Sequence, residues 1–167
     1  MMSCCYQIYQ SPLGRLILAG NALALTGLWF EVEVENDVLK AAGLPGTDLP
    51  VFRQTRIWLD QYFGGQIPDF LPPLRAEGTA FQCKVWDLLR QIPYGETTTY
   101  GAIAREMAAR NPQGRMSAQA VGGAVGKNPI AILIPCHRVI GSDGSLTGYA
   151  AGVDKKQALL ALEAGLN

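Results

Sequence analysis

The sequence has one histidine, His137, and its four cysteines form no C-x-x-C pair. A structural zinc site usually takes four cysteine or histidine ligands, so we expect no metal. The longest apolar stretch, Leu16 to Phe30, is broken by Gly20 and Asn21 and falls short of the roughly 18–20 residues that a membrane helix requires. We therefore expect no membrane partner. No basic segment followed by an apolar stretch opens the chain, which favours a soluble, cytoplasmic protein with reduced thiols.

Charge is also sparse, because only 17% of the residues are charged and the formal net charge is zero. This balance argues against a strongly basic nucleic-acid-binding protein. The two halves differ, however: residues 1–78 are acidic on balance and residues 79–167 are basic. Four basic residues and one acidic residue lie between Arg105 and Lys127. Such a local excess attracts phosphate, but it is equally typical of a solvated face, and the charge pattern leaves both readings open.

The first half has the pattern of a small sheet with one helix. Three strand-like runs are separated by turn residues; they are Tyr6–Gln10, Arg15–Ala19 and Ala24–Phe30. Alternating acids and valines in Glu31–Asp37 suggest an exposed strand end. Apolar residues at helical spacing follow from Val51 to Phe63, with Asp48 as the expected cap and Gly64 as the stop. We predict a small antiparallel sheet plus a helix, an α/β domain spanning residues 1–77.

The second half, residues 78–167, is predicted to be a mostly helical domain. Thr79, Thr99 and Ser117 each precede an apolar helical pattern and are expected to cap three helices. The second and third of these, with a turn between them, have the form of a helix-turn-helix. The apolar run Ile130–Ile134 is too short for a helix and reads as a buried strand, and Asp154 is expected to open the last helix.

The chemistry is concentrated where that apolar run ends. Cys136 and His137 are adjacent, and a thiol needs a base to become the nucleophilic thiolate. Glu163, on the apolar side of the last helix, is a candidate to orient the imidazole. A buried cysteine is often only a small apolar residue, so the residues alone leave a reactive and a packing Cys136 both open.

The segment around Cys136 reads Ile134-Pro135-Cys136-His137-Arg138-Val139. It stands among other distinctive segments, which are Gly78-Thr79-Ala80-Phe81-Gln82 with Val85-Trp86, Ile92-Pro93-Tyr94-Gly95-Glu96-Thr97 with Tyr100-Gly101, Ala120-Val121-Gly122-Gly123-Ala124 with Asn128-Pro129, Leu146-Thr147-Gly148-Tyr149, and Lys155-Lys156 with Leu159-Leu160 through Glu163. Together these segments resemble the O6-alkylguanine-DNA alkyltransferases, also called methylated-DNA–protein-cysteine methyltransferases, and the first matches the family signature around its reactive cysteine. Ser11-Pro12-Leu13-Gly14 fits the family's N-terminal domain more loosely.

The resemblance implies DNA repair by irreversible transfer of an alkyl group from O6-alkylguanine, and possibly from O4-alkylthymine, to a cysteine that is used once. Cys136 would be the nucleophile and His137 its base, acting through a water. Glu163 would orient His137, and Tyr100 would donate a proton towards guanine N3. No cofactor is implied. The alkylated base would be flipped out of double-stranded DNA bound through its minor groove, by a protein expected to be a monomer.

The resemblance also assigns residues that contact DNA or the flipped base; they are Gln119, Asn128, Ser142, Tyr149, Arg115 and Gly101. The family usually inserts an arginine where this chain has Gln119, and the connector that contains Arg115 is longer than in shorter members. Ala150 and Ala151 stand where many relatives have more glycine, which is expected to narrow the alkyl pocket.

Two alternative functions remain at this point. One is a non-enzymatic alkyltransferase-like sensor of DNA damage, a class that lacks the cysteine present here as Cys136. The other is a generic cysteine hydrolase, which would turn over repeatedly and would leave the helix-turn-helix without a role.

The departure at Gln119 generates a prediction. If Gln119 supports the flipped base by filling space and donating hydrogen bonds, Gln119→Ala slows repair of duplex DNA and barely affects reaction with free O6-benzylguanine. Gln119→Arg is then expected to tighten duplex binding and to steepen its salt dependence by about one phosphate equivalent.

Single-turnover rates on both substrates, with binding titrations over a salt series, check this prediction. Arg115→Ala is the comparison variant, since a larger loss there would assign the role to Arg115. Equal duplex repair rates for Gln119→Ala and the unmodified protein would show that Gln119 does not support the flipped base.

Overall fold

The structure is a computed structural model that describes residues 4–33, 44–45 and 48–165. It contains two compact units, one formed by Met1–Glu77 with Pro129–Ala131 and the other by Gly78–Asn128 with Ile132–Asn167. The predicted fold class is confirmed, because a small antiparallel sheet with a helix is followed by a mostly helical part. In the described residues, no helix is long and apolar enough to span a bilayer.

The first unit is built on an antiparallel meander. Strands β1 (Cys5–Ser11), β2 (Gly14–Gly20) and β3 (Leu25–Phe30) pair in sequence, and β4 (Leu44–Pro45) pairs in parallel with β1. Ser11 pairs with Gly14 across a two-residue turn. The Ser11 hydroxyl donates to the Gly14 carbonyl and accepts from the Leu13 N–H, so this side chain fixes the turn. Gly14 has a φ of +117°, which favours glycine.

The helix of the first unit, α1 (Pro50–Phe63), differs from the prediction at its start. Leu49 occupies the N-cap position without a side-chain hydrogen bond, and Pro50 sets the first helical residue. The prediction that Asp48 caps this helix is wrong, because the Asp48 carboxylate forms ion pairs with Arg53 and Arg56. The expected strand end after β3 is also wrong where it is described, because Glu31–Glu33 forms a 3₁₀ turn in which Glu33 accepts from the Phe30 N–H. Residues 34–37 of that prediction lie outside the described residues.

The second unit contains four α-helices in its described part: α2 (Ala80–Leu89), α3 (Tyr100–Ala109), α4 (Ala118–Gly126) and α5 (Val153–Glu163). Two short strands, β5 (Thr98–Thr99) and β6 (Val139–Ile140), pair in parallel. The three predicted caps are confirmed. Thr79 forms a full capping box with Gln82, and the hydroxyls of Thr99 and Ser117 accept backbone N–H groups of α3 and α4.

The predicted strand Ile130–Ile134 is wrong. Ile130 makes an isolated bridge to Leu28, and the chain then turns, with buried Ile132 at a φ of +70°. Ala131 N–H still donates to Leu28 O, but the ladder ends there, and the Ile134 carbonyl accepts from Cys136 N–H and from the Asn128 side chain. A β-branched residue in the left-handed region is strained, so the surrounding packing must enforce this turn.

The last helix also begins differently from the prediction. Helix α5 starts at Val153 after Gly152, whose φ is +109°, and it has no side-chain cap. Asp154 therefore lies inside the first turn and not at the cap, where its charge still complements the helix dipole.

Trp86 joins α2 to α4. Its indole is buried, and its Nε1–H donates to the Ala124 carbonyl over 2.9 Å. This bond positions the second helix of the helix-turn-helix against α2, since a buried indole N–H requires a partner.

Trp86→Phe is expected to lower the free energy of unfolding by about 1–3 kcal/mol, because the donor to Ala124 and part of the indole packing are lost. Denaturant unfolding followed by circular dichroism measures the change. Asp87→Ala, an exposed substitution on the same helix, is the control and should stay within about 0.5 kcal/mol of the unmodified protein. Equal losses in the two variants would contradict the role assigned to the indole.

Candidate active site

The thiol lies at the start of a tight turn. Cys136 opens the 3₁₀ turn Cys136–Arg138 and is only 9% exposed. Its backbone N–H donates to Ile134 O at 2.8 Å, and Asn128 Nδ2 donates to the same oxygen at 2.7 Å. Asn128 therefore binds the segment that carries the thiol. The backbone around Cys136 is fixed by hydrogen bonds and by Pro135, which a cysteine that only fills space would not require.

The imidazole of His137 is completely buried. Its Nε2 lies 2.5 Å from Glu163 Oε2, while its Nδ1 is buried and has no hydrogen-bond partner among the described residues. An ionised carboxylate can only accept, so Nε2 carries the hydrogen and Nδ1 keeps a free lone pair. Burial lowers the pKa of His137, an effect that the nearby Glu163 carboxylate opposes. The arrangement supplies an uncharged base with one nitrogen open.

Glu163 is the anion around which this site is organised. Its side chain is 1% exposed, and its Oε1 accepts from Arg138 Nε at 2.7 Å and from the Gly95 N–H at 3.1 Å. Its Oε2 accepts from Arg138 Nη2 at 3.1 Å as well as from His137. Gly95 has a φ of +82°, a conformation that lets its N–H reach the carboxylate and that other residues adopt only with strain.

Tyr100 and Lys156 share one carbonyl oxygen. The Tyr100 hydroxyl donates to Thr147 O at 3.1 Å, and Lys156 Nζ donates to the same oxygen at 2.9 Å. Burial is the main cause that raises the pKa of Tyr100, and the nearby Cys136 adds to it. Burial lowers the pKa of Lys156, and Cys136 opposes that effect. Both side chains therefore lie within electrostatic reach of the thiol.

The residues predicted to contact DNA or the base are spread over the second unit. Gln119 is exposed in the first turn of α4, and Arg115 is exposed in the connector before it. Ser142 is also exposed, Tyr149 is half-buried in the loop before α5, and Gly101 follows Tyr100 in α3. None of these residues forms a hydrogen bond with His137 or Glu163 among the contacts described above.

Two family models cover nearly the whole chain. One, described as 6-O-methylguanine DNA methyltransferase, DNA binding domain, matches residues 80–165. The other, described as the ribonuclease-like domain of the same methyltransferase, matches residues 4–76. The chain belongs to the 6-O-methylguanine DNA methyltransferase family.

Individual members of this methyltransferase family are also similar. The methylated-DNA–protein-cysteine methyltransferase of Haemophilus influenzae is 43% identical over 163 residues, which cover 95% of this chain and 85% of that protein. The Methanosarcina barkeri protein of the same name is 45% identical, covering 95% and 96%. The crystal structure of Mycobacterium tuberculosis OGT in complex with DNA superposes with a TM-score of 0.84 at 42% identity, covering 97% of this chain and 94% of that one.

Sequence reasoning missed two buried cations of this methyltransferase site, Arg138 and Lys156. Arg138 was visible only as part of the signature, and no local pattern shows that its guanidinium turns inward to Glu163. For Lys156 a signal exists: it precedes Leu159 by three residues and Glu163 by seven, which places all three on one face of α5.

In the described part of the chain, no cluster of three or more histidine, cysteine or acidic side chains is arranged to hold a metal.

Proposed function

We propose that this protein repairs DNA by accepting the methyl group of O6-methylguanine, and more generally the alkyl group of an O6-alkylguanine, on Cys136. The observation that carries the proposal is the buried Cys136 beside an imidazole whose Nε2 is bonded to Glu163 and whose Nδ1 is open. DNA as the partner is supported by the DNA-binding domain match and by the relative solved with DNA.

The reaction begins with the thiol proton. Nδ1 of His137, directly or through one water, takes the proton from Cys136 Sγ, and Glu163 stabilises the imidazolium that results. The thiolate attacks the alkyl carbon in line with the C–O6 bond. A carbon–sulfur bond forms, the carbon–oxygen bond breaks, and its electron pair passes to O6 and the guanine ring.

Tyr100 supplies the proton that the leaving guanine requires. Burial keeps its hydroxyl protonated, and that hydroxyl donates towards guanine N3, so that guanine leaves as a neutral base. Tyr100 then regains a proton from the His137 imidazolium. The net result is that the proton that left the Cys136 thiol is replaced by one on guanine. The product is a thioether at Cys136, which has no hydrolysable bond, so each molecule acts once.

The helix-turn-helix presents the damaged base. A guanine inside the stack cannot be attacked at its O6 substituent, so it must leave the duplex first. We assign α4, with Gln119 in its first turn, to the minor groove, where Gln119 fills the gap with support from Arg115. Gly101 allows close approach of the backbone, Ser142 meets a phosphate, and Tyr149 lines the alkyl pocket. Asn128 holds the thiol segment.

Cys136→Ser is expected to abolish alkyl transfer and to leave DNA binding largely unchanged, because a serine hydroxyl is nearly isosteric with the thiol but a far poorer nucleophile. Intact-mass measurement after incubation with duplex DNA carrying O6-methylguanine detects the gain of one methyl group. Cys83→Ser is the control and should react like the unmodified protein. Methyl transfer to Cys4, Cys5 or Cys83 in the Cys136→Ser variant would contradict the assignment, and no methyl gain in the unmodified protein would favour the damage sensor.

Glu163→Gln is expected to slow transfer by about 10²–10⁴-fold, since the amide keeps the shape but does not stabilise an imidazolium. Single-turnover rates on the same duplex measure it, with circular dichroism to verify folding. Asp87→Asn, an exposed acid-to-amide change on α2, is the control and should leave the rate unchanged. A loss of less than about tenfold would remove Glu163 from the proton-transfer step.

A further inference from the structure

Arg138 belongs to the signature segment, but the reaction above gives it no task. Its side chain is only 10% exposed, and each of its three guanidinium nitrogens donates a hydrogen bond. Nε and Nη2 bind the two oxygens of Glu163 at 2.7 and 3.1 Å, and Nη1 donates to Ile92 O at 2.7 Å. The guanidinium also lies over the Tyr94 ring, 5.8 Å from its centroid. A buried cation held in this way has one geometry available to it.

The charges of the cluster act on the protonation state of the imidazole together with its burial. With Arg138 present, the charge of Glu163 is already neutralised before His137 takes up a proton. Without Arg138, His137 would be the cation nearest to a buried carboxylate, and a buried carboxylate strongly favours a cationic partner. Either His137 would then be protonated at rest, or Glu163 would take up the proton itself. Both outcomes remove the base that Cys136 needs.

We propose that Arg138 is a positioning residue that keeps Glu163 ionised and His137 uncharged before the reaction. The inference rests on the proposed alkyl transfer for its purpose, but the charge state of His137 is a property of the resting protein. Arg138 acts on the thiol only through Glu163 and His137.

The other charged groups around His137 agree with this assignment. From α5 it faces Glu163 and Lys156, and on its own turn it is flanked by Arg138. Helix α2 also packs against this turn, and its charged side chains, Lys84 and Asp87, are exposed. Burial is the first cause that lowers the pKa of His137, Arg138 and Lys156 act in the same direction, and Glu163 opposes them. Removing Arg138 therefore leaves the raising effect of Glu163 less opposed.

Since His137 is the only histidine of the chain, its titration can be followed without assignment. Nitrogen-15 NMR of histidine-labelled protein reports the protonation midpoint and the tautomer of this one ring. In Arg138→Gln, which keeps donors but removes the charge, we expect the midpoint to rise by at least about one pH unit. In Arg138→Lys, which keeps the charge, it should stay near the unmodified value. Arg90→Met removes an exposed cation of the same unit and should leave it unchanged.

A second pair of variants keeps the test decisive if Arg138→Gln does not fold. We compare the His137 titration midpoint of Glu163→Gln with that of the double variant Arg138→Gln/Glu163→Gln. The double variant has no charge left at either position. Because Arg138 then acts on His137 directly, we expect the midpoint to be lower in Glu163→Gln than in the double variant. Equal midpoints in this pair would overturn the proposal, and so would an unchanged midpoint together with an unchanged tautomer in Arg138→Gln, since uptake of the proton by Glu163 would move the ring hydrogen to Nδ1.

The transfer rate provides the functional readout. The rate of Arg138→Gln relative to the unmodified protein should fall by about tenfold for each pH unit below the variant's His137 midpoint and should recover above that midpoint, because the imidazolium formed in the variant loses its proton at higher pH. The same fold-loss at every pH would assign Arg138 a purely structural role and would overturn the proposal. A failure of the proposed function would give a different result. The unmodified protein would then gain no methyl group at any pH, while the His137 midpoint would still change when Arg138 is replaced.

Discussion

A carboxylate that is almost completely removed from water can remain ionised only if the protein replaces its hydration, and this requirement at Glu163 organises the reactive unit. The replacements come from two separate segments: the loop after α2, which supplies the Gly95 N–H, and the turn Cys136–Arg138, which supplies the His137 imidazole and the Arg138 guanidinium. Each donor constrains the segment that carries it, because an unpaired buried carboxylate is very costly. The turn that holds Cys136 is therefore fixed to the end of α5 and to the loop after α2 by one charge. The position of the thiol follows from the electrostatics of a residue 27 positions away in the sequence.

A second network on the same helix holds the opposite charge. Lys156 lies two turns before Glu163 in α5 and is entirely buried, with its ammonium on the carbonyl of Thr147. The same carbonyl accepts from Tyr100, the first residue of α3, so one backbone oxygen joins the helix-turn-helix to the loop before α5. A cation near a thiol favours the thiolate, and a carboxylate bonded to an imidazole favours the imidazolium. One helix thus carries both the ammonium and the carboxylate that would stabilise the products of the proposed proton transfer.

At three helix starts of the second unit, local chemistry was enough to predict the structure from the sequence. The N-caps of these helices could be predicted because a capping hydroxyl bonds to backbone groups only a few residues away; they are Thr79, Thr99 and Ser117. The sequence was misleading at Ile130–Ile134, where an apolar run forms a turn and not a strand. An apolar run indicates that its residues are buried, but it does not show that they pair with another strand. At Asp48 a residue suited to capping is instead used by two arginines one and two turns along α1. The adjacent pair Cys136 and His137 could be found from the sequence, but the inward direction of Arg138 could not, since it depends on Glu163, Ile92 and Tyr94, which are distant in the chain.

Stability alone does not account for a buried cluster of His137, Arg138 and Glu163. Apolar residues of similar volume in place of a buried ion pair are often as stabilising or more so, since desolvation offsets much of the attraction between the charges. What apolar residues lack is a proton-accepting ring nitrogen that has no hydrogen-bond partner in the described residues, with its tautomer fixed from the opposite side of the ring. The planar fork of arginine suits this purpose better than an ammonium would, because it binds both carboxylate oxygens and still leaves Oε2 available to His137 Nε2. The alkyl transfer proposed for the thiol, which the stability of the fold does not require, gives a physical reason for a carboxylate, a guanidinium and an imidazole at these three positions.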